Sequence, residues 1–183
     1  MKAISTYQLF DPSDMTKGLP AKAPGNYIFL LRPDVMLPTE MMAEQPEFTS
    51  LEFHGVEYRV LYTGVTGKTL YNRVYETHLT GNNAGRSTLR KSLGCLWGYK
   101  LVPRGKKPDS TKTKYCERDE NAITKWMMQN LLVLFVPNSN YKNEESELIN
   151  SFNPPLNLDK NHNAINLHYR TMIKALRNRP VGV

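Results

Sequence analysis

The chain has 183 residues, of which 40% are hydrophobic, and it carries a formal net charge of +7 at pH 7. This length supports one domain with a buried core, and no apolar run approaches the roughly 18–20 residues that a membrane span needs. Two cysteines cannot form a disulfide framework, so we expect a soluble protein in a reducing cytoplasm, with no membrane partner.

The N-terminal half of the chain combines turn-forming residues with strand formers. Residues 1–22 are broken by prolines and a glycine and are predicted to be irregular. Strand formers predict a strand at 26–32, and a β-hairpin follows at 51–65 after a loop. Apolar residues at helical spacing then predict a helix at 69–79.

The C-terminal half is predicted to be mostly helical. Ser87 is the expected N-cap of a second helix, and residues 98–118 are a basic insertion that forms a loop or a ribbon. Periodicity and apolar runs predict the remaining elements, which are helices at 119–130, 144–152 and 163–178 and a strand at 131–136.

Together these elements predict an α/β fold of the α+β type. A small, mostly antiparallel three-stranded central sheet is flanked by helices. The predicted organisation is an irregular extension at 1–22, a main domain at 23–160 and a C-terminal helix within 161–183 that packs on this domain.

The positive charge is concentrated in the stretch from Arg86 to Arg118. Ten lysines and arginines stand there against two acidic residues, a local balance of +8. Such a run is either a solvated surface or a phosphate-binding one, and we favour nucleic acid as the partner. The predicted nucleic-acid contacts are Lys68, Arg86, Arg90, Lys91, Arg104, Lys106 and Lys107.

Four short motifs follow one another along the chain. Gly25-Asn-Tyr27 begins the first strand, and Tyr62-Thr-Gly64 lies at the end of the hairpin. Arg73 lies on the helix that follows, and Glu145 begins a stretch that continues to Asn157. Each residue alone is explained as well by packing, a solvated surface or a turn. The order of the four motifs is what points to a function.

This order resembles the GIY-YIG nuclease family, over roughly residues 25–157. In that family a Gly-x-Tyr strand precedes a Tyr-x-Gly strand, a helix supplies an arginine and a later helix supplies a metal-binding glutamate. The resemblance implies the GIY-YIG fold and a DNA endonuclease that uses one Mg²⁺ or Mn²⁺ ion per active site. DNA is the implied partner, and a homodimer that cuts both strands is a possible assembly.

The resemblance assigns a role to each candidate catalytic residue. Glu145 would bind the metal, and Arg73 would stabilise charge on the phosphate. Tyr27 would activate the attacking water, although a phenol with a pKa near 10 needs help to lose its proton. Tyr62 would help to hold the water or the phosphate, and Asn157 would orient the glutamate helix without binding the metal.

Two positions need a choice. The histidine of the family commonly follows the arginine by four residues, whereas His78 follows Arg73 by five, which rotates it by about 100° on an α-helix. His78 is nevertheless a candidate to draw the proton from the phenol. Glu147 is a rival metal ligand, but Glu145 shares a helix face with Ile149, which would anchor it toward the core.

Two other functions are compatible with the sequence. A non-catalytic nucleic-acid-binding module on the same fold would show salt-sensitive binding without metal-dependent cleavage. A protein that uses the domain for protein–protein assembly would carry a contiguous apolar surface patch.

Overall fold

The computed structural model describes residues 3–105 and 112–181, which contain a five-stranded antiparallel sheet and a two-stranded ribbon. The strands of the sheet are β1 (Gln8–Phe10), β2 (Gly25–Leu31), β3 (Ser50–Phe53), β4 (Val56–Thr66) and β7 (Leu131–Pro137). Their order is β1-β7-β2-β4-β3. The ribbon pairs β5 (Val102–Pro103) with β6 (Thr113–Lys114) and lies within the predicted basic insertion.

Helices cover the sheet, and their order along the chain is the predicted one. They are a π-helix (Tyr71–Leu79), α1 (Thr88–Leu96), α2 (Glu117–Asn130), α3 (Tyr141–Phe152) and α4 (Leu167–Arg177). Short 3₁₀ turns occur at Ile4–Thr6, Met15–Lys17 and Ala84–Arg86. Among the described helices, none combines the length and the apolar character that a membrane span requires.

The mixed α/β prediction is confirmed, but the prediction of three strands is wrong. β2, β4 and β7 form the centre of the sheet, and β3 and β1 extend it on either side. β1 comes from residues 1–22, which were expected to be irregular, and it pairs with the outer edge of β7. Three residues are too few to give a periodic pattern, so the open edge of β7 determines their conformation.

Alternate side chains of β2 enter two separate cores, as the two-residue repeat of a strand requires. Tyr27 and Phe29 point into the core that the π-helix, α1, α2 and α4 share. Ile28 and Leu30 point to the opposite face, which α3 covers. The strand is therefore central and buried on both faces, and Tyr27 lies on the side of the π-helix and α1.

Candidate active site

The two motif tyrosines lie on neighbouring strands. In the pairing of β2 with β4, Tyr27 is opposite Gly64 and Phe29 is opposite Tyr62. The rings of Tyr27 and Tyr62 are 6.5 Å apart between centroids. A Cβ atom at Gly64 would overlap the hydroxyl of Tyr27, so glycine is required there for the ring to cross β4.

The Tyr27 hydroxyl is the meeting point of the predicted site. His78 Nε2 lies 2.8 Å from it, and Arg73 Nε donates to it at 3.2 Å. Burial, reinforced by Tyr62, raises the pKa of Tyr27 far above its ordinary value, and the charge of Arg73 offsets this only in part. At neutral pH Tyr27 is therefore a phenol.

The π-helix explains how Arg73 and His78 reach the same atom although five residues separate them. In a π-helix the backbone hydrogen bonds join residues five apart, and Thr80 N donates to Tyr75 O at 2.9 Å. The wider turn brings residues five apart much closer to one face than the turn of an α-helix does. The extra residue noted in the sequence is thereby accommodated, and both side chains face Tyr27.

His78 is enclosed and is held from both sides. Its Nδ1 lies 2.7 Å from Ser87 Oγ, which also accepts from Arg90 N at 3.1 Å as the predicted N-cap of α1. Burial, together with the positive charges of Arg73 and Arg90, lowers the pKa of His78 well below its ordinary value. His78 is therefore neutral at physiological pH, so one of its two ring nitrogens carries no proton and can accept a hydrogen bond.

Glu145 lies at a cleft of about 190 Å³ beside Tyr62. Lys160 pairs with Glu145 Oε2 at 2.6 Å, and the Glu145 side chain is 19% exposed. Glu147 is exposed and does not line this cleft. Glu144 is buried on the other side of α3, where it accepts hydrogen bonds from Tyr7 and Asn138.

Asn157 is buried and acts on β4, not on the glutamate helix as expected. Its Oδ1 accepts from Thr63 N at 2.8 Å, and its Nδ2 donates to Thr63 O at 2.9 Å. These two bonds hold the backbone between Tyr62 and Gly64. Asn157 therefore positions the second tyrosine motif.

The role of Asn26 was not predicted from the sequence. Its side chain is fully buried, and its Nδ2 donates to Tyr141 O at the start of α3 at 2.8 Å. Asn138 donates to Asn26 Oδ1 at 3.0 Å. Asn26 thus ties the helix that carries Glu145 to the strand that carries Tyr27. Lys160 and Thr88, which line the cleft, were also missed, because they become neighbours of Tyr62 only in the folded chain.

The predicted nucleic-acid contacts separate into four groups. Lys68 and Arg86 are exposed, and Lys91 and Arg104 are half-buried beside a second, basic cavity. Lys106 and Lys107 lie outside the described residues. The prediction for Arg90 is wrong, because its side chain is fully buried.

Arg90 has a structural role instead. Its guanidinium forms an ion pair with Glu120 at 2.9 Å and donates to the carbonyls of His78 and Leu79 at 3.1 and 3.0 Å. Glu120 in turn accepts from Ala84 N at 2.7 Å. This buried pair joins the π-helix, α1 and α2, so Arg90 has no free donor for a phosphate.

A family model described as the GIY-YIG catalytic domain matches residues 25–179, and the chain belongs to this family. The match includes α4 as well as the motif region. Membership gives the chain a catalytic domain of nuclease type. Neither a curated protein nor a solved structure shows a significant match to the chain.

Proposed function

We propose that this protein is a metal-dependent endonuclease that hydrolyses DNA phosphodiester bonds. The observation that carries the proposal is the convergence of Arg73 and His78 on the Tyr27 hydroxyl, at 3.2 and 2.8 Å. A proton acceptor and a phosphate-stabilising cation around one phenol, close to a cleft that holds a carboxylate, are the groups that hydrolysis of a phosphodiester needs.

The cleft suits a hard divalent cation such as Mg²⁺ or Mn²⁺. Mg²⁺ commonly uses one or two protein carboxylates and keeps several waters, and Glu145 provides one such oxygen ligand at the edge of the cleft. No cluster of three or more potential ligands occurs within residues 3–105 and 112–181. When bound, the ion would supply polarisation of the phosphate and stabilisation of the leaving oxygen.

The residues of the chain would move the proton. Tyr27 takes a proton from the attacking water while its own hydroxyl proton passes to His78 Nε2, so that the phenol never has to exist as a free phenolate. In this mechanism the opposite ring nitrogen of His78 donates to Ser87 Oγ, the tautomer that leaves Nε2 as the acceptor. Tyr62, which lines the cleft, orients the water, and Arg73 stabilises the charge that develops on the phosphate.

A binding-only module is the second candidate function, and two observations favour it. Tyr27 is only 1% exposed and is not among the residues that line the cleft, so water has little access to its hydroxyl. Glu145 is already paired with Lys160 at 2.6 Å. A module of this kind would bind DNA in a salt-sensitive manner with no metal-dependent cleavage.

Cleavage of supercoiled plasmid and of labelled linear and branched DNA, with Mg²⁺, Mn²⁺ or EDTA, tests the proposal. Glu145→Gln and Tyr27→Phe should abolish metal-dependent cutting, and Glu147→Gln is the matched control that should keep it. Loss of cutting in Glu147→Gln alone would move the metal ligand to that residue. A larger loss in Tyr62→Phe than in Tyr27→Phe would transfer the role of base to Tyr62.

Salt-sensitive binding without cutting under any condition would support the binding-only module. Sedimentation of the protein with and without uncut duplex tests whether it forms a homodimer.

A further inference from the structure

A second cavity of about 270 Å³ adjoins the catalytic cleft. It lies where the β5–β6 ribbon meets the beginning of α1 and the end of α4. Thr88 lines both this cavity and the catalytic cleft, so the two are neighbours on one surface. The charged residues that line the cavity are all basic, and they are Arg86, Lys91, Arg104, Lys112 and Arg177. We call this cavity the basic pocket.

Three of these cations lack a carboxylate partner in the part of the chain that the structure describes. The ion pairs found there involve neither Lys91 nor Arg104 nor Arg177. The buried Nε of Arg177 has no hydrogen-bond partner within these residues. Burial lowers the pKa of Lys91, and the nearby positive charge of Arg177 lowers it further.

The pocket is also held in shape by the fold. Lys91 Nζ donates to Thr113 Oγ1 at 2.7 Å, and Arg104 N donates to Lys112 O at 2.8 Å across the ribbon. A Cβ atom at Gly85 would overlap the carbonyl of Thr113, so the ribbon packs directly on the loop before α1. Cations from separate parts of the chain are therefore brought together before any ligand binds.

We propose that the basic pocket binds a phosphate of the DNA backbone next to the one that is cut. This inference rests on the proposed function and adds a second contact on the same strand. Several cations without carboxylates attract an anion, and a bound phosphate would relieve their mutual repulsion. Since the two cavities share Thr88, the phosphate in the pocket is expected to be a neighbour of the one that is cut.

The pocket is connected to the catalytic residues through Arg86. The backbone carbonyl of Arg86 accepts from Arg73 Nη1 at 3.0 Å, and Ser87, the next residue, contacts His78. A phosphate in the pocket fixes this loop and with it the orientation of Arg73. Binding there therefore contributes to catalysis as well as to affinity.

The test is binding of an uncut duplex in EDTA across a range of salt concentrations. Arg177→Gln and Arg104→Gln should each weaken binding by about tenfold, as expected for loss of a charged hydrogen bond. Loss of one phosphate contact lowers the slope of log affinity against log salt by about 0.9. Lys125→Gln, which removes an exposed charge on α2 away from both cavities, is the matched control.

Methylphosphonates placed one at a time around the cut then locate the phosphate. In the wild type, one position close to the cut should reproduce the tenfold loss, and in Arg177→Gln that position should no longer matter. Two results would overturn the inference. Either the pocket variants bind DNA as tightly as Lys125→Gln, or the losses caused by Arg177→Gln and by the methylphosphonate simply add. In both cases, cutting by the wild type would still support the proposed function. If the wild type binds DNA but never cuts it, the proposed function is wrong and the proposal for the basic pocket stands. If the wild type neither binds nor cuts DNA, both proposals are wrong.

Discussion

Replacing His78 by glutamine separates hydrogen bonding to Tyr27 from acceptance of its proton. The ring nitrogen of His78 lies 2.8 Å from the Tyr27 hydroxyl, and no solvent reaches either group freely. The glutamine amide oxygen can still accept a hydrogen bond from the phenol, but it cannot take up a proton. The position of Tyr27 is therefore maintained while the relay is interrupted.

The expected loss of cleavage rate is about 10²- to 10⁴-fold, the usual contribution of a general base. In the variant the active form must be the Tyr27 phenolate, whose pKa is raised by burial. Its population grows tenfold per pH unit below that pKa, so log rate should rise by about one per unit between about pH 6 and pH 9. In the wild type, proton transfer from Tyr27 to His78 adds no such slope to the pH profile, because His78 is already neutral.

The same substitution changes how stability depends on pH. The pKa of His78 is lower in the folded than in the unfolded chain, so the unfolded chain binds the proton first as the pH falls. The stability that this group contributes is complete above about pH 6.5 and is lost toward lower pH, by at most about 1.4 kcal/mol per unit. The His78→Gln variant lacks this loss, so its free energy of unfolding should fall less than that of the wild type as the pH is lowered.

Single-turnover cleavage with enzyme in excess across this pH range, together with urea unfolding at about pH 7.5 and pH 5, measures both effects. A variant that cuts at the wild-type rate with the wild-type pH profile would refute the proton relay. An equal loss of stability in both proteins between the two pH values would show that His78 is not held neutral.

Three further outcomes follow from the contacts. Arg90→Met should cost about 3–5 kcal/mol in the free energy of unfolding, because it leaves Glu120 buried without its cation; urea unfolding measures this, and a loss below about 1 kcal/mol would contradict the structural role. Lys160→Gln should lower the Mg²⁺ concentration for half-maximal cutting by about threefold, because Glu145 loses a partly exposed competing cation; a Mg²⁺ titration checks it, and a higher requirement would mean that the pair supports metal binding. Asn157→Ala removes two buried hydrogen bonds to β4 and should cost about 1–3 kcal/mol and reduce cutting; unchanged melting and cutting would refute its positioning role.

The local features of this protein could be predicted from the sequence because they depend on near neighbours. The strand formers of β2 and the N-cap at Ser87 act within a few residues, and both are confirmed. The preference for Glu145 rested on the helical repeat, which also places Ile149 in the buried part of the same face. Glu145 lines the cleft and Glu147 does not, and the choice of Glu145 as the metal ligand stays a prediction.

Other features depend on partners that are distant along the chain. Arg90 belongs to a basic run, but it is buried in the core because it pairs with Glu120, thirty residues later. The edge strand β1 exists because β7 offers an open edge to pair with. The basic pocket likewise needs α4 beside the β5–β6 ribbon before its cations can act together.

The π-helix shows most clearly which features follow from the sequence and which depend on the tertiary structure. The sequence determined that an arginine and a histidine lie five residues apart, and on an α-helix they would diverge. The tertiary structure decided otherwise, because both side chains hydrogen-bond to the single hydroxyl of Tyr27 in a buried site. The sequence thus determined which groups are present and what each can do locally, whereas burial and long-range hydrogen bonding decided which of them act on the same atom.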